Sequence, residues 1–177
     1  MSEKMLVTYA SKYGSTAEIA QTIAKTIRQA GLMVEIMPVE EVESLETYSS
    51  IVLGSAVYAG QWRKEAASFL KDHHQQLSRK KVWLFSSGPT GEGDPQELMN
   101  GWTFPEGLAP VAENLQPEDI AFFHGVLDED RLGFAEKLIV KGLKAPLGDF
   151  RDWEVISCWA ETIASKIRGK RFVQETS

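Results

Sequence analysis

The chain has 177 residues, 43% hydrophobic and 25% charged, enough apolar material for a substantial core. Nineteen Lys and Arg against 25 Asp and Glu leave a formal charge of −6, which gives no support to nucleic-acid binding. The lone cysteine, Cys158, excludes an internal disulfide and fits a reducing cytoplasm, while no apolar run approaches a membrane span and no His or Cys stands at metal-ligand spacing.

Residues 1–4 lead straight into an apolar run, so no leader is expected. Residues 5–10 (MLVTYA) read as a short central strand, buried on both faces and therefore without alternation. A polar loop follows, then a helix with Ile19, Ala20, Ile23, Ala24 and Ile27 at spacings of three and four. Ser15 and Glu18 stand at capping-box spacing, and Gly31 lies past the helix end. Residues 34–39 and 50–55 read as the second and third strands. Residues 62–72 fit a helix with Trp62, Ala66, Phe69 and Leu70 inward. A fourth strand, 81–87 (KVWLFSS), runs into a glycine-rich loop at 88–93. Pro and Gly interrupt 95–118, leaving a short helix near 111–115. The fifth strand, 120–124, ends on His124, where ligands can be near but nothing in the spacing assigns it a role.

Residues 132–144 have helical spacing in Leu132, Ala135, Leu138, Ile139 and Leu143. This stripe is expected to pack on the domain, leaving Arg131, Lys137, Lys141 and Lys144 as a solvated basic face. The last helix is expected over 152–168, with Gly169 ending it and a frayed polar tail after 170. Cys158 beside its apolar stripe reads as an inert, partly buried thiol. Short strands alternating with helices predict an α/β fold, a parallel sheet covered on both faces, with 1–177 as one domain.

Such sheets bind ligands beyond the carboxyl ends of their strands. The first such end, Ser11, Lys12, Tyr13, Gly14, Ser15 and Thr16, has neither the glycines of a dinucleotide fingerprint nor a Walker A lysine. Its three hydroxyls and the free N–H groups of a helix start suit a phosphate monoester. A polar turn with Ser15 as a plain helix cap fits the same spacing. After the third strand come Ser55, Ala56, Val57, Tyr58, Ala59 and Gly60, small residues beside an aromatic that can stack on a planar ring. Trp62 reads as a core anchor instead. After the fourth come Ser87, Gly88, Pro89, Thr90 and Gly91, whose backbone can approach a heteroaromatic edge. In a doubly wound sheet of order 2-1-3-4-5 all three loops reach one edge. A phosphoacceptor receiver would need acidic residues at the first and third strand ends, where Ala10, Ser11 and Ser55 stand.

The stretch Thr8 to Thr16, the helix after it and Ile51-Val52-Leu53-Gly54-Ser55 resemble the flavodoxin-like family. Phe69 with Lys71 and His73, Gly125-Val126-Leu127, Lys137-Leu138-Ile139 and Asp152-Trp153-Glu154 extend the likeness to the group that includes menaquinone-dependent protoporphyrinogen oxidase. The chain departs from that group at Tyr58, in the turn at 88–91 and in its acidic charge, which bears on substrate choice rather than on the flavin. The resemblance implies a three-layer flavodoxin-like sandwich with a five-stranded parallel sheet and an insert at about 127–147. It implies FMN, its phosphate on Ser11, Tyr13, Gly14, Ser15 and Thr16 and its isoalloxazine between loops 56–60 and 87–91. Electrons would pass through bound flavin between a donor and an acceptor, a quinone or a protein, with no special catalytic residue and no metal. It implies a cytoplasmic protein, with peripheral contact at the inner membrane face through the basic segment 131–144.

Overall fold

The computed structural model describes residues 3–175, with side chains described through Gly169. In chain order the strands are β1 (Lys4–Ala10), β2 (Met33–Pro38), β3 (Ser50–Tyr58), β4 (Gln61–Trp62), β5 (Lys81–Ser87), β6 (Asp119–Phe123), β7 (Val126–Leu127) and β8 (Gly148–Asp149). The helices are α1 (Ser15–Gln29), α2 (Lys64–Asp72), α3 (His74–Leu77), α4 (Pro95–Leu98), α5 (Ala109–Leu115), α6 (Phe134–Leu143) and α7 (Trp153–Glu175). The five long strands pair in parallel in the order β2-β1-β3-β5-β6, which is the expected 2-1-3-4-5 arrangement of a flavodoxin-like α/β fold.

Alternation along each strand divides the core between the two faces of the sheet. Met5, Val7, Val52, Trp83 and Phe85 pack with the α1 stripe Ile19, Ile23 and Ile27 and the α7 stripe Ile156, Ile163 and Ile167. Leu6, Ile51, Leu53 and Leu84 point the other way, onto Phe69 and Leu70 of α2, Leu77 of α3 and Leu115 of α5. Parallel strands with helices on both sides bring the strand-to-helix loops to one edge of the sheet, and that edge holds the candidate site.

Three elements differ from expectation. Trp62 is not the start of a helix: Tyr58 pairs antiparallel with Gln61 across the two residues Ala59 and Gly60, both at positive φ (49° and 73°). Positive φ at both turn positions is the geometry of a tight hairpin, and it delays the helix to Lys64. The last helix does not stop at Gly169 but runs to Glu175, because one glycine costs a helix only about 1 kcal/mol and no proline follows. The frayed tail expected after 170 falls partly on Thr176 and Ser177, which lie outside the described residues. Cys158 is exposed on α7 rather than partly buried.

The largest departure is α6. Its apolar stripe does not pack on the sheet: Phe134 is 82% exposed, Leu138 58%, Ile139 61% and Leu143 74%, and no residue of the helix is buried. The helical period was read correctly, but period alone does not say which face meets the protein. Here a polar anchor, Glu136, turns inward and the apolar arc turns out.

Candidate functional site

The loop after β1 curls back on itself. The Gly14 N–H donates to Ser11 Oγ at 3.0 Å, and Glu18 N–H donates to the Gly14 carbonyl at 3.1 Å. Gly14 caps α1 in the left-handed region, φ +88°, a conformation costly for a residue with a Cβ. No side chain caps the helix; Ser15 is its first residue and not its cap, so the capping-box expectation fails. Space is open around Gly14, with no atom within 4 Å of where a Cβ would stand. The result is a helix start with orphan N–H donors facing outward, the chemistry an anion requires.

The hydroxyls of the loop divide. Ser11 and Ser15 are half-buried at its mouth. Thr16 is buried and its Oγ1 lies 2.9 Å from Ser87 Oγ, tying the first loop to the end of β5. Ser55 is equally internal: its hydroxyl donates to the Ala56 carbonyl at 2.8 Å and accepts the Arg63 N–H at 3.0 Å. Thr16, Ser55 and Ser87 therefore shape the site from beneath, and their side-chain oxygens are committed to protein partners. Tyr58 is exposed and shares a cleft with Tyr13, Ser15, Val126, Leu127 and Leu132. Trp62 is buried, donates from Nε1 to Ser86 Oγ at 2.8 Å and meets Phe104 edge-on, so it is the core anchor expected.

The third and fourth loops stand side by side. Gly88 lies where a Cβ would come within 3.2 Å of Val57 Cβ, and Gly125 packs on Gly88 so closely that a Cβ there would be 2.8 Å from the Gly88 carbonyl oxygen. Gly88 N–H donates to the Phe123 carbonyl at 3.2 Å and Gly125 N–H to the Pro89 carbonyl at 3.0 Å. Ala56, Ser87 and Gly91 are buried, Val57, Gly60, Gly88, Pro89 and Thr90 half-buried, Tyr58 and Ala59 exposed. The residues singled out from sequence thus surround one edge of the sheet.

Sequence reasoning missed the groups that roof this edge. The pair β7–β8 carries α6 out and back beside the first loop. Arg131 Nη1 donates to the Tyr13 carbonyl at 2.6 Å, and Arg151 Nη1 to the Ser15 carbonyl at 3.1 Å. Arg151 is also paired with Glu18 and Asp149 and lies over the Trp153 ring at 4.5 Å. Glu136 accepts from Lys12 Nζ and from Tyr13 OH, and from Gly133 N–H at 3.1 Å. The Lys12 ammonium, then the Tyr13 hydroxyl, hold its carboxyl down at about 2. Trp102 reaches in from the long segment after α4, donating from Nε1 to the Gly60 carbonyl at 3.2 Å and meeting the Phe122 ring at a tilt of 57°, centroids 4.8 Å apart. None of these residues had a local motif; long-range pairing brings them to the site.

The donor set fits FMN: outward N–H groups at an uncapped helix start, half-buried hydroxyls beside them, and close-packed glycine backbone in the loop that would flank the ring. Comparison with known proteins agrees. The chain is 20% identical over 172 residues to protoporphyrinogen IX dehydrogenase [quinone] of Escherichia coli K12, covering 91% of this chain and 94% of that one. It is 27% identical to flavodoxin of Clostridium beijerinckii, covering 76% of this chain and 98% of that one. Among solved structures, oxidised flavodoxin 2 from Bacillus cereus superposes with a TM-score of 0.57 at 24% identity, covering 92% of this chain and 99% of that one. The family model for the flavodoxin domain matches residues 6–153, and the chain belongs to that family of FMN-binding electron-transfer proteins.

Proposed function

We propose that FMN phosphate seats on the N-terminus of α1, held by the backbone of Tyr13, Gly14, Ser15 and Thr16 and by the hydroxyls of Ser11 and Ser15. The isoalloxazine lies between loop 56–60 and loop 87–91, with Tyr58 against its face. The observation that carries this reading is the uncapped helix start at a left-handed Gly14 with open space before it. Bound FMN supplies one- or two-electron transfer, and the chain supplies orientation, hydrogen bonds and the local field. Thr16, Ser55 and Ser87 hold the loops in register, and Glu136, Arg131 and Arg151 fasten the 127–147 insert over the phosphate end. No side chain of the site is required to carry a proton.

Purified protein should show the visible absorbance of flavin, and FMN added to flavin-free protein should lose its fluorescence at one equivalent. Colourless protein that leaves FMN fluorescence untouched refutes the reading.

The donor and acceptor are proposed to be a quinone or a protein reaching the exposed ring edge, in a cytoplasmic protein that contacts the inner membrane face peripherally through segment 131–144. No described helix is long and apolar enough to cross a membrane. A second reading, quinone-linked oxidation of protoporphyrinogen, is favoured by the full-length likeness to the E. coli enzyme. Anaerobic reduction of the bound flavin by protoporphyrinogen IX, and its reoxidation by a naphthoquinone, would separate an oxidase from a plain carrier.

A further inference from the structure

The fourth loop has an unusual brace. Between Pro89 and Gly93 the backbone makes no hydrogen bond that closes the turn on itself, among the described residues. His124, the residue after β6, closes it instead. Its Nδ1 lies 3.2 Å from the Pro89 carbonyl oxygen and its Nε2 lies 2.7 Å from the Gly93 carbonyl oxygen. The imidazole thus spans the two ends of the loop like a strut. Carbonyl oxygens only accept. A ring with one hydrogen satisfies one of them and turns a lone pair to the other; a ring with two hydrogens donates to both. The Pro89 carbonyl also takes the Gly125 N–H at 3.0 Å, so the strut and the backbone grip the same atom.

His124 lies along a cleft of about 460 Å³ at the free edge of the sheet. Asp94, from the start of α4, and Asp152, from the start of α7, line it with the ring; the neighbouring residues of β6 in that cleft, Ile120, Phe122 and Phe123, carry no charge. Asp94 Oδ1 accepts from Gln96 N–H and Glu97 N–H, and Asp152 Oδ1 from Glu154 N–H and Val155 N–H. Both carboxylates are therefore fixed in place by helix caps.

We propose that His124 is a positioning residue for the loop that closes on the flavin, and that its second proton tightens the loop and with it the hold on FMN. The proposal rests on the FMN reading above. It does not follow from that reading, because a glycine-rich loop can be held by backbone alone.

The test compares wild type with H124Q, a side chain that can donate but does not titrate. The carbonyl carbon shifts of Pro89 and Gly93 in the flavin-free proteins, which report hydrogen bonds to those oxygens, are followed by NMR at pH 6 and pH 8.5. In wild type both shifts are expected to move toward the more strongly hydrogen-bonded value at pH 6, and in H124Q to show no such difference. FMN affinity is then measured in both proteins across the same range. The phosphate of FMN also titrates there, but it contributes equally to both proteins and cancels in the ratio of their dissociation constants. That ratio, H124Q over wild type, is expected to be at least fivefold larger at pH 6 than at pH 8.5. A ratio independent of pH overturns the proposal even if H124Q binds more weakly, since a merely structural role would weaken binding at every pH. Pro89 and Gly93 carbonyl shifts that do not respond to pH in wild type overturn it as well. Wild-type protein that binds no FMN at all is a different result and brings down the cofactor reading.

Discussion

At the scale of single residues the site is defined by what faces outward. Ser15 is the first residue of α1, its hydroxyl free of protein partners among the described residues, beside donors that no side chain satisfies. Aspartate suits a helix N-terminus, so S15D should leave the fold intact. It should nevertheless set a carboxylate against the FMN phosphate and weaken FMN binding at least tenfold, about 1.4 kcal/mol. Riboflavin, which has no phosphate, should lose far less; equal losses for the two ligands would show that the phosphate binds elsewhere. Gly125 tests the other side of the site. A Cβ there would stand 2.8 Å from the Gly88 carbonyl oxygen and 3.1 Å from its carbon, backbone atoms that cannot swing aside as a side chain does. Gly125→Ala must therefore push the fourth loop. The expected cost is about 1–3 kcal/mol of stability, typical of overpacking, together with a loss of FMN affinity. A thermal melt and an FMN titration check both, and an unchanged titration in a destabilised variant would mean that this loop does not touch the ring.

At the scale of elements, the sequence disclosed what local periodicity controls and hid what long-range contacts decide. The fourth strand was legible to the residue, Lys81–Ser87, because an apolar run between a basic start and a glycine loop has no competing reading. The α1 stripe was equally plain. The hairpin of β3 and β4 was not, since Ala59 is no usual occupant of a left-handed turn position. The outward face of α6 was hidden for a deeper reason: its direction is set by Glu136 meeting Lys12 and Tyr13, more than 120 residues away in sequence. That latch has a pH signature. The Glu136 carboxyl is lowered from 4.5 to about 2, so its contribution is complete above 4.5 and is lost as the pH falls through about 2. Between those values the α6 amides should lose protection from hydrogen exchange before those of β5, and E136Q should lose it at neutral pH; simultaneous loss from α6 and β5 would deny the latch. The same helix tests the proposed membrane contact. Phe134, Leu138 and Ile139 lie on its exposed arc with Lys141 at the margin, a composition suited to an anionic bilayer surface. Each lysine near such a surface is worth roughly 1 kcal/mol. Wild type should float with anionic vesicles at low salt and not with neutral ones. K137E/K141E/K144E should not float with either, at equal FMN content. Failure of wild type to float under any condition would leave the exposed face to a protein partner.

At the scale of the whole molecule, the three loops and the insert converge on one edge of the sheet, although they come from residues 11–16, 56–60, 87–93 and 125–151. The chain carries −6 overall, yet Lys12, Arg131 and Arg151 all contact that edge, each tied to a carboxylate of the insert or of α1. Charge at that edge is thus balanced by ion pairs, and the acidic molecule as a whole would disfavour added negative charge on a flavin bound there. The chain itself already ties these segments together, through Thr16 with Ser87, Gly125 with Pro89 and Arg131 with Tyr13. A ligand that binds the folded state alone stabilises it by RT ln(1 + [L]/Kd), about 2.7 kcal/mol at one hundred times Kd. For a chain of this size each kcal/mol moves the melting temperature by roughly 2–4 °C. FMN at one hundred times its Kd should therefore raise the midpoint by about 5–11 °C. Riboflavin at the same concentration should raise it much less, because it leaves the helix start unfilled. In the S15D protein the two ligands should come close to one another. A midpoint that ignores FMN, in protein shown by titration to bind it, would mean that the unfolded chain binds FMN as well, and that the folded loops are not what holds it.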